Sequence, residues 1–220
     1  MNIKPNAVDL SHYDDVTDWD AVKAFGIIAV INKATDGPGM IDKTFAIRRG
    51  PVEKREMLYA AYHFMRPGAI GPQVDHFLAS IGDTTNLGLA LDFEQPAIPL
   101  ANAKAFLVAI KDRVGRYPWL YSYSSMLHDK LAGNSDPFWK TVRTWLAQYT
   151  STPSWPSALA DPFLWQYTGD GSGQGPHRVP GISLDTGNPA TRDCIDINSF
   201  DGTPEELAAL WTSDPAVAVA

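Results

Sequence analysis

Short β-branched apolar runs alternate with helix-length segments along most of this chain, and that alternation limits the fold more than any other feature. Residues 27–31 (Ile27-Ile28-Ala29-Val30-Ile31), 58–64, 87–93 and 119–123 are compact apolar runs of strand length. Runs without polar alternation suit strands buried on both faces, as in a parallel sheet. Between them lie segments with helical spacing: 43–57, 72–81, 100–114 and 124–131. The clearest is 100–114, where Ala103, Phe106, Leu107 and Ile110 form one apolar stripe. The βαβα order then gives way to a strand-rich end, with strand-like runs at 144–149, 163–168 and 194–197. This predicts the α/β class, with a mostly parallel sheet closed as a single irregular TIM-like β/α barrel.

Local signals refine the outline. Residues 8–11 read as a short first strand, and Thr17 as the N-cap of a helix that Gly26 stops. Gly50-Pro51 is expected to break the helix over 43–57. Thr203-Pro204-Glu205-Glu206 reads as the cap and first turn of a last helix over 203–211. Residues 151–189 are dense in Pro, Gly and Ser and read as long loops on a barrel rim. Within them, the glycine run 169–175 resembles a phosphate loop only superficially. It lacks the Lys-Ser/Thr ending and a following helix, so it reads as a flexible loop.

Composition removes several function classes. At 220 residues the chain is long enough to bury roughly 70% of its unfolded surface in one core. Eighteen basic against 25 acidic residues leave a charge of −7, which argues against a nucleic-acid partner. The single cysteine, Cys194, excludes an intrachain disulfide and a Cys-based zinc site. The five histidines show no metal-binding spacing, and His63 reads as a hydrogen-bonded interior residue. Neither a metal nor an organic cofactor is expected. No apolar stretch approaches the ~18 residues of a membrane span, and the first residues lack the apolar core of a signal peptide. The expectation is a monomer made without an export signal and not inserted in a membrane.

The chemistry concentrates at Leu91-Asp92-Phe93-Glu94. Residues i and i+2 of a strand project to the same side. Asp92 and Glu94 therefore point together from the C-terminal end of an apolar strand, where barrel enzymes place their sites. Two acids this close do not ionise independently, so one site can hold a proton donor and a carboxylate at the same pH. Glycoside hydrolysis needs such a pair. Acids at strand ends also cap helices or bind loop amides, so the pair alone does not decide the matter. Asp9 also ends a short apolar strand near the N-terminus, and Asp196 does the same in the last strand. If the first and last strands are neighbours in a closed barrel, all four acids meet at one mouth. The alternative is that Asp9 and Asp196 only make barrel-closing hydrogen bonds. Tyr62, Phe64, Tyr121, Tyr123, Trp145, Tyr149, Trp165 and Tyr167 lie on or near strand ends. Rings at a cleft rim suit sugar faces, although alternation sends at least half of them into the core.

In order along roughly 7–201, the chain resembles the family 25 glycoside hydrolases, the Chalaropsis-type lysozymes of fungi, bacteria and phage endolysins. The resemblance rests on Ala7-Val8-Asp9-Leu10-Ser11, Asp18-Trp19, Lys33-Ala34-Thr35-Asp36-Gly37, Ala61-Tyr62-His63-Phe64 and Leu91-Asp92-Phe93-Glu94. It continues through Trp145-Leu146-Ala147-Gln148-Tyr149, Trp165-Gln166-Tyr167 and Asp196-Ile197-Asn198-Ser199-Phe200. There are departures. His12-Tyr13 and Asp14 stand where the family usually has Gln-Gly shortly after the first Asp-x-Ser. Asp36 replaces the usual Glu. Gly50-Pro51 interrupts a helix, and an extended segment over 169–192 precedes the last aspartate.

The resemblance implies a catalytic barrel over 1–211 with a C-terminal tail at 212–220. It implies cleavage of the β-1,4 bond from N-acetylmuramic acid to N-acetylglucosamine in bacterial peptidoglycan, the expected partner. Glu94 would be the general acid/base and Asp92 its partner carboxylate. Asp9 and Asp196 would line the catalytic cleft, and Tyr62, Trp145 and Trp165 would form its walls. We expect acid-assisted hydrolysis with net retention, the substrate's acetamido group attacking the anomeric carbon, with a direct carboxylate nucleophile as the alternative. A phage or prophage endolysin, acting on the wall after release, fits the absent export signal. The rival readings are a carbohydrate-binding barrel without activity, another acetamido-sugar hydrolase such as a chitinase, and a structural scaffold.

Overall fold

The computed structural model describes residues 3–214. In chain order the elements are β1 (Pro5–Leu10), β2 (Asp14–Val16), α1 (Trp19–Phe25), β3 (Ala29–Asp36), β4 (Met40–Ile41) and α2 (Lys43–Glu53). They continue with β5 (Leu58–Phe64), α3 (Ile70–Ile81), β6 (Gly88–Asp92), α4 (Leu100–Val114), β7 (Trp119–Tyr123) and α5 (Ser124–Lys130). The last part holds β8 (Thr144–Ala147), β9 (Leu164–Gly169), β10 (Ser172–Gly173), β11 (Ile182–Leu184), β12 (Asp196–Ser199) and α6 (Pro204–Trp211). A 3-10 turn at Pro137–Thr141 precedes β8.

Eight strands close into a barrel in the order β1-β12-β9-β8-β7-β6-β5-β3 and back to β1. Every seam is parallel except those of β12, which runs antiparallel to both β9 and β1. The expected irregular α/β barrel is therefore present. Its closing strand points the opposite way from its neighbours.

Two apolar layers hold it. The outer one packs helices on the sheet: Phe77 of α3 and Ala103, Phe106, Leu107 and Ile110 of α4 are fully buried against outward residues such as Leu89, Leu91 and Leu120. The inner one is filled by unequal partners. Ala7, Ala29, Ala60 and Ala90 leave room on one side for Trp119, Trp145 and Trp211. Gly88 is required here, because a Cβ would lie 2.8 Å from the Trp211 indole nitrogen and 2.6 Å from Trp119. Trp211 of α6 donates to the Tyr59 carbonyl at 2.8 Å. The last helix thus plugs the end of the barrel where the parallel strands begin, and the opposite end stays open.

Helix ends follow local chemistry, with two corrections. Asp18, not Thr17, caps α1, its carboxylate accepting from the amides of Asp20 and Ala21 at 2.9 and 3.0 Å. Gly26 ends that helix in the left-handed conformation (φ 113°). Helix α2 runs through Gly50-Pro51 rather than breaking there. Pro51 lies in the last turn, so it removes only one ladder bond, and buried Phe45, Arg48 and Val52 hold the helix down. Thr203 and Glu206 form the reciprocal cap expected of α6.

The Asp214 carboxylate accepts from the Tyr117 amide at 2.7 Å and pairs with Lys111. Residues 215–220 of the expected tail lie outside the described residues. Among the described residues no helix is long and apolar enough to cross a membrane.

Candidate active site

Alternation along the strands decides which side chains reach the open mouth. On β1, Ala7 faces inward, so Asp9 does too. On β3 the inward series is Ala29, Ile31 and Lys33; on β6 it is Gly88, Ala90 and Asp92. Tyr62 of β5, Tyr121 and Tyr123 of β7, and Trp145 and Ala147 of β8 belong to the same interior set. Glu94 follows Asp92 by two residues, just past the end of β6. Asp196 opens β12 rather than ending a strand, and because β12 is antiparallel its first residue lies at the mouth. Asp9 and Asp196 are direct register partners. The four acids expected at one mouth do meet there.

A polar clamp that the motifs did not reveal holds Asp9. The Gln166 side-chain amide donates to both Asp9 oxygens, at 3.1 and 2.9 Å, and Asn198 donates to Oδ2 at 2.8 Å. Both clamps are themselves held. Gln166 Oε1 accepts from the hydroxyls of Tyr121 and Tyr149, each at 2.9 Å. Asn198 Oδ1 accepts from the Trp145 indole at 2.6 Å. Strand alternation is the signal that places Gln166 and Asn198 inward, since each adjoins an outward-facing apolar residue, Trp165 or Ile197.

This alternation corrects the expected walls. Trp145 has 1% of its surface exposed, so it supports the clamp from beneath and presents no open face. Its ring packs edge-on to Tyr62, with centroids 6.4 Å apart, and lies 4.2 Å from Tyr121. Trp165 is fully buried on the outer face, packed against Tyr167 and donating to the Gln148 carbonyl at 2.8 Å. It cannot line the cleft. Tyr62 is half-buried and projects inward beside the carboxyls. The wall beside Glu94 is instead a cavity of about 270 Å³ lined by Tyr121, Tyr123, Ser124, Gln148 and Tyr149. That volume lies near the low end for small-ligand pockets.

Burial dominates the electrostatics. It pushes Asp9 up to about 7 despite the two amide donors. Asp14, which opens β2 and accepts from the Ser11 amide at 2.7 Å, is pushed up to about 6. Asp196 is held well above the usual carboxylate range by burial and then by the charge of Asp9. Asp92 is also held well above that range, by burial and then by Glu94. Glu94 is less enclosed and is raised as well, while its contact with Asp92 pulls it down. Burial and mutual repulsion raise Asp92, and burial raises Glu94, so the pair keeps a shared proton to higher pH than an isolated carboxylate would. Asp92 Oδ1 is buried without any hydrogen-bond partner. Such an orphan costs free energy unless a ligand supplies a donor. Tyr62 and Tyr121 are pushed further up by burial and keep their protons.

Gly169 completes the rim. A Cβ there would collide with the Tyr149 hydroxyl and Asp196 Oδ1, so only glycine lets those two groups close over β9. Beyond it the glycine run forms a hairpin rather than an irregular loop. Strands β9 and β10 pair as a hairpin around Asp170-Gly171. Their φ values of 50° and 75° are those of a tight type I′ turn. Strand β11 returns to pair with β2, tying the long segment to the first turn.

The profile of glycosyl hydrolases family 25 matches residues 8–176, more than half of the chain and including Asp9, Asp92 and Glu94. The chain belongs to this family. As a family 25 protein it is a glycoside hydrolase. Lysozyme M1 of Streptomyces globisporus is 28% identical over 226 residues, covering 92% of this chain and 70% of that protein. The crystal structure of the bacterial lysozyme from Streptomyces coelicolor superposes with a TM-score of 0.77 at 25% identity, covering 93% of this chain and 95% of that one. The muramidase from Trichobolus zukalii shares the fold, with a TM-score of 0.72 at 24% identity, covering 93% and 97%. The family profile stops before Asp196, so it is the β1–β12 register that adds this carboxylate to the family 25 mouth.

Proposed function

We propose that this family 25 protein is a muramidase that hydrolyses the β-1,4 bond from N-acetylmuramic acid to N-acetylglucosamine in bacterial peptidoglycan. The observation that carries this reading is the paired carboxyls of Asp92 and Glu94, with a buried, unpartnered Asp92 oxygen beside the open Glu94 cavity. The likeness to lysozymes over nearly the whole chain supports the substrate class.

The orphaned Asp92 oxygen suits the N–H of the acetamido group on the sugar left of the scissile bond. That donor favours ionised Asp92, which releases the shared proton to Glu94. Glu94 then protonates the glycosidic oxygen as the C–O bond breaks. The acetamido oxygen attacks the anomeric carbon from the opposite face, with its N–H held on Asp92. Water follows, giving its proton to Glu94 and opening the cyclic intermediate with net retention. Asp9 and Asp196 enclose the positive charge that develops on the ring. The substrate places this work at the bacterial wall, after release from the cell that makes the protein.

The test is turnover on purified peptidoglycan. Glu94→Gln and Asp92→Asn, each with native circular dichroism, should each lose roughly 10²–10⁴-fold in kcat. A loss below about tenfold in either would overturn the assignment. A glycosyl ester trapped on Asp92 or Asp9 would replace the acetamido route by a direct carboxylate nucleophile.

A further inference from the structure

Lys33 is a buried cation that the reaction just derived does not use. It projects inward from β3 after Ala29 and Ile31, and only 9% of it is exposed. Its ammonium lies 3.2 Å from Asp36 Oδ2 and 4.7 Å from the centre of the Phe64 ring. Asp36 is already claimed by Arg66, whose Nε and Nη2 reach it at 2.5 and 2.8 Å. One carboxylate therefore faces two cations. The surplus positive charge falls beside Phe64, whose register partner on β6 is Asp92. Lys33 is also the register partner of Tyr62 on β5, one strand from β6, which places its charge on the side of the mouth that carries Asp92 and Glu94.

An opposite charge stands across the mouth. The turn at the tip of the β9–β10 hairpin carries Asp170, which is exposed. Its chain neighbour Gly169 abuts the Tyr149 hydroxyl and Asp196 Oδ1, and Tyr149 lines the same cavity as Glu94. Glu94 thus has a buried cation on the β3 side and an exposed anion on the β9 side.

We propose that Lys33 and Asp170 are positioning residues of opposite sign that decide where the shared proton of the Asp92–Glu94 pair rests and how firmly it is held. The inference rests on the muramidase reading, because the proton in question is the one Glu94 delivers. The other ionisable groups facing the pair are Tyr62 of β5, Tyr121 of β7 and Tyr149 after β8. On the far side stand Asp9 of β1, Asp14 of β2 and Asp196 of β12. Asp36 and Arg66 stand behind Lys33. The tyrosines stay neutral, and the three aspartates are common to all variants below.

The test is kcat/KM on purified peptidoglycan against pH for wild type, Lys33→Met, Lys33→Arg and Asp170→Asn. The alkaline limb reports loss of the acid's proton. In Lys33→Met that limb should move up by roughly half a unit to one unit, and Lys33→Arg should restore it. In Asp170→Asn it should move down by a smaller amount. Only the Asp170 effect should fade in high salt, because only that charge is open to solvent. Limbs that stay put in both folded variants, or move in the same direction, overturn the proposal.

If Lys33→Met does not fold, the carbon-13 titration of the Asp92 and Glu94 carboxyls in Asp170→Asn decides alone. A downward shift supports the proposal and an unmoved titration overturns it. That titration reads the charge pair without turnover. Wild type that cleaves no wall at any pH would therefore sink the muramidase reading while leaving this one separately testable.

Discussion

Asp9 and Asp196 face each other as direct partners across the antiparallel seam that closes the barrel. Two carboxyls in that relationship cannot both ionise cheaply once buried. The closure of the fold and the charge of the cleft are thus one feature, and it carries a stability cost at neutral pH.

Asp196→Asn should stabilise the protein at pH 7–8. The folded-state proton affinity of Asp196 is raised, so the folded protein binds more protons than the unfolded one above the usual carboxylate range. Stability then falls as pH rises through that range, and removing the charge relieves the fall. We expect a gain of about 1 kcal/mol, or roughly 2–4 °C in Tm, at pH 7.5 and almost none at pH 4. Thermal melts at the two pH values check it. Equal gains at both would refute the electrostatic cause.

Gln166→Leu should destabilise the protein and lower activity together. It strips Asp9 of two donor contacts and leaves the Tyr121 and Tyr149 hydroxyls without their acceptor. The cost should be about 1–3 kcal/mol by urea denaturation, with kcat on peptidoglycan falling in parallel. Retained activity would show that the clamp on Asp9 is dispensable.

Gly169→Ala should lower kcat/KM more than a surface substitution does. The new Cβ drives the Tyr149 hydroxyl and Asp196 apart, because neither can share that space. Overpacking of this kind costs about 1–3 kcal/mol, measurable as a lower Tm. Wild-type melting and turnover together would mean that Tyr149 moves freely and does not shape the site.

Tyr62→Phe and Trp165→Phe should separate the two faces of the barrel. Trp165→Phe loses volume and the bond to the Gln148 carbonyl in the outer core, so it should cost about 1–3 kcal/mol and leave KM unchanged. Tyr62→Phe removes a hydroxyl from among the carboxyls, so it should reduce turnover with little change in Tm. A KM effect confined to Trp165→Phe would contradict the outward orientation.

Regular elements were legible where one pattern ran undisturbed. Strands β5 and β7 and helix α4 span the ranges their apolar patterns predict, because full burial on both faces and a single helical stripe are local signals. The Asp92–Glu94 pair was legible for the same reason. Pro51 misled because its effect depends on distance from the helix end, which composition does not give. The glycine run misled because an Asp-Gly turn with a two-residue return strand leaves almost no apolar pattern. The resemblance to family 25 places Trp165 on the cleft wall, but a motif match does not say which face of its strand a residue takes. Its neighbour Gln166 takes the inward place, and one-in-two alternation excludes both from the same face. The surplus charge at Lys33 emerges only when β3 and the segment after β5 bring Asp36 and Arg66 together.

The most direct measurement is the reducing end of the glycan released from isolated peptidoglycan, read by mass spectrometry after borohydride reduction, for wild type and Glu94→Gln. Wild type should release fragments ending in reduced N-acetylmuramic acid, and folded Glu94→Gln should release none. Fragments ending in reduced N-acetylglucosamine, or the same fragments from both proteins, would contradict a muramidase that acts through Glu94.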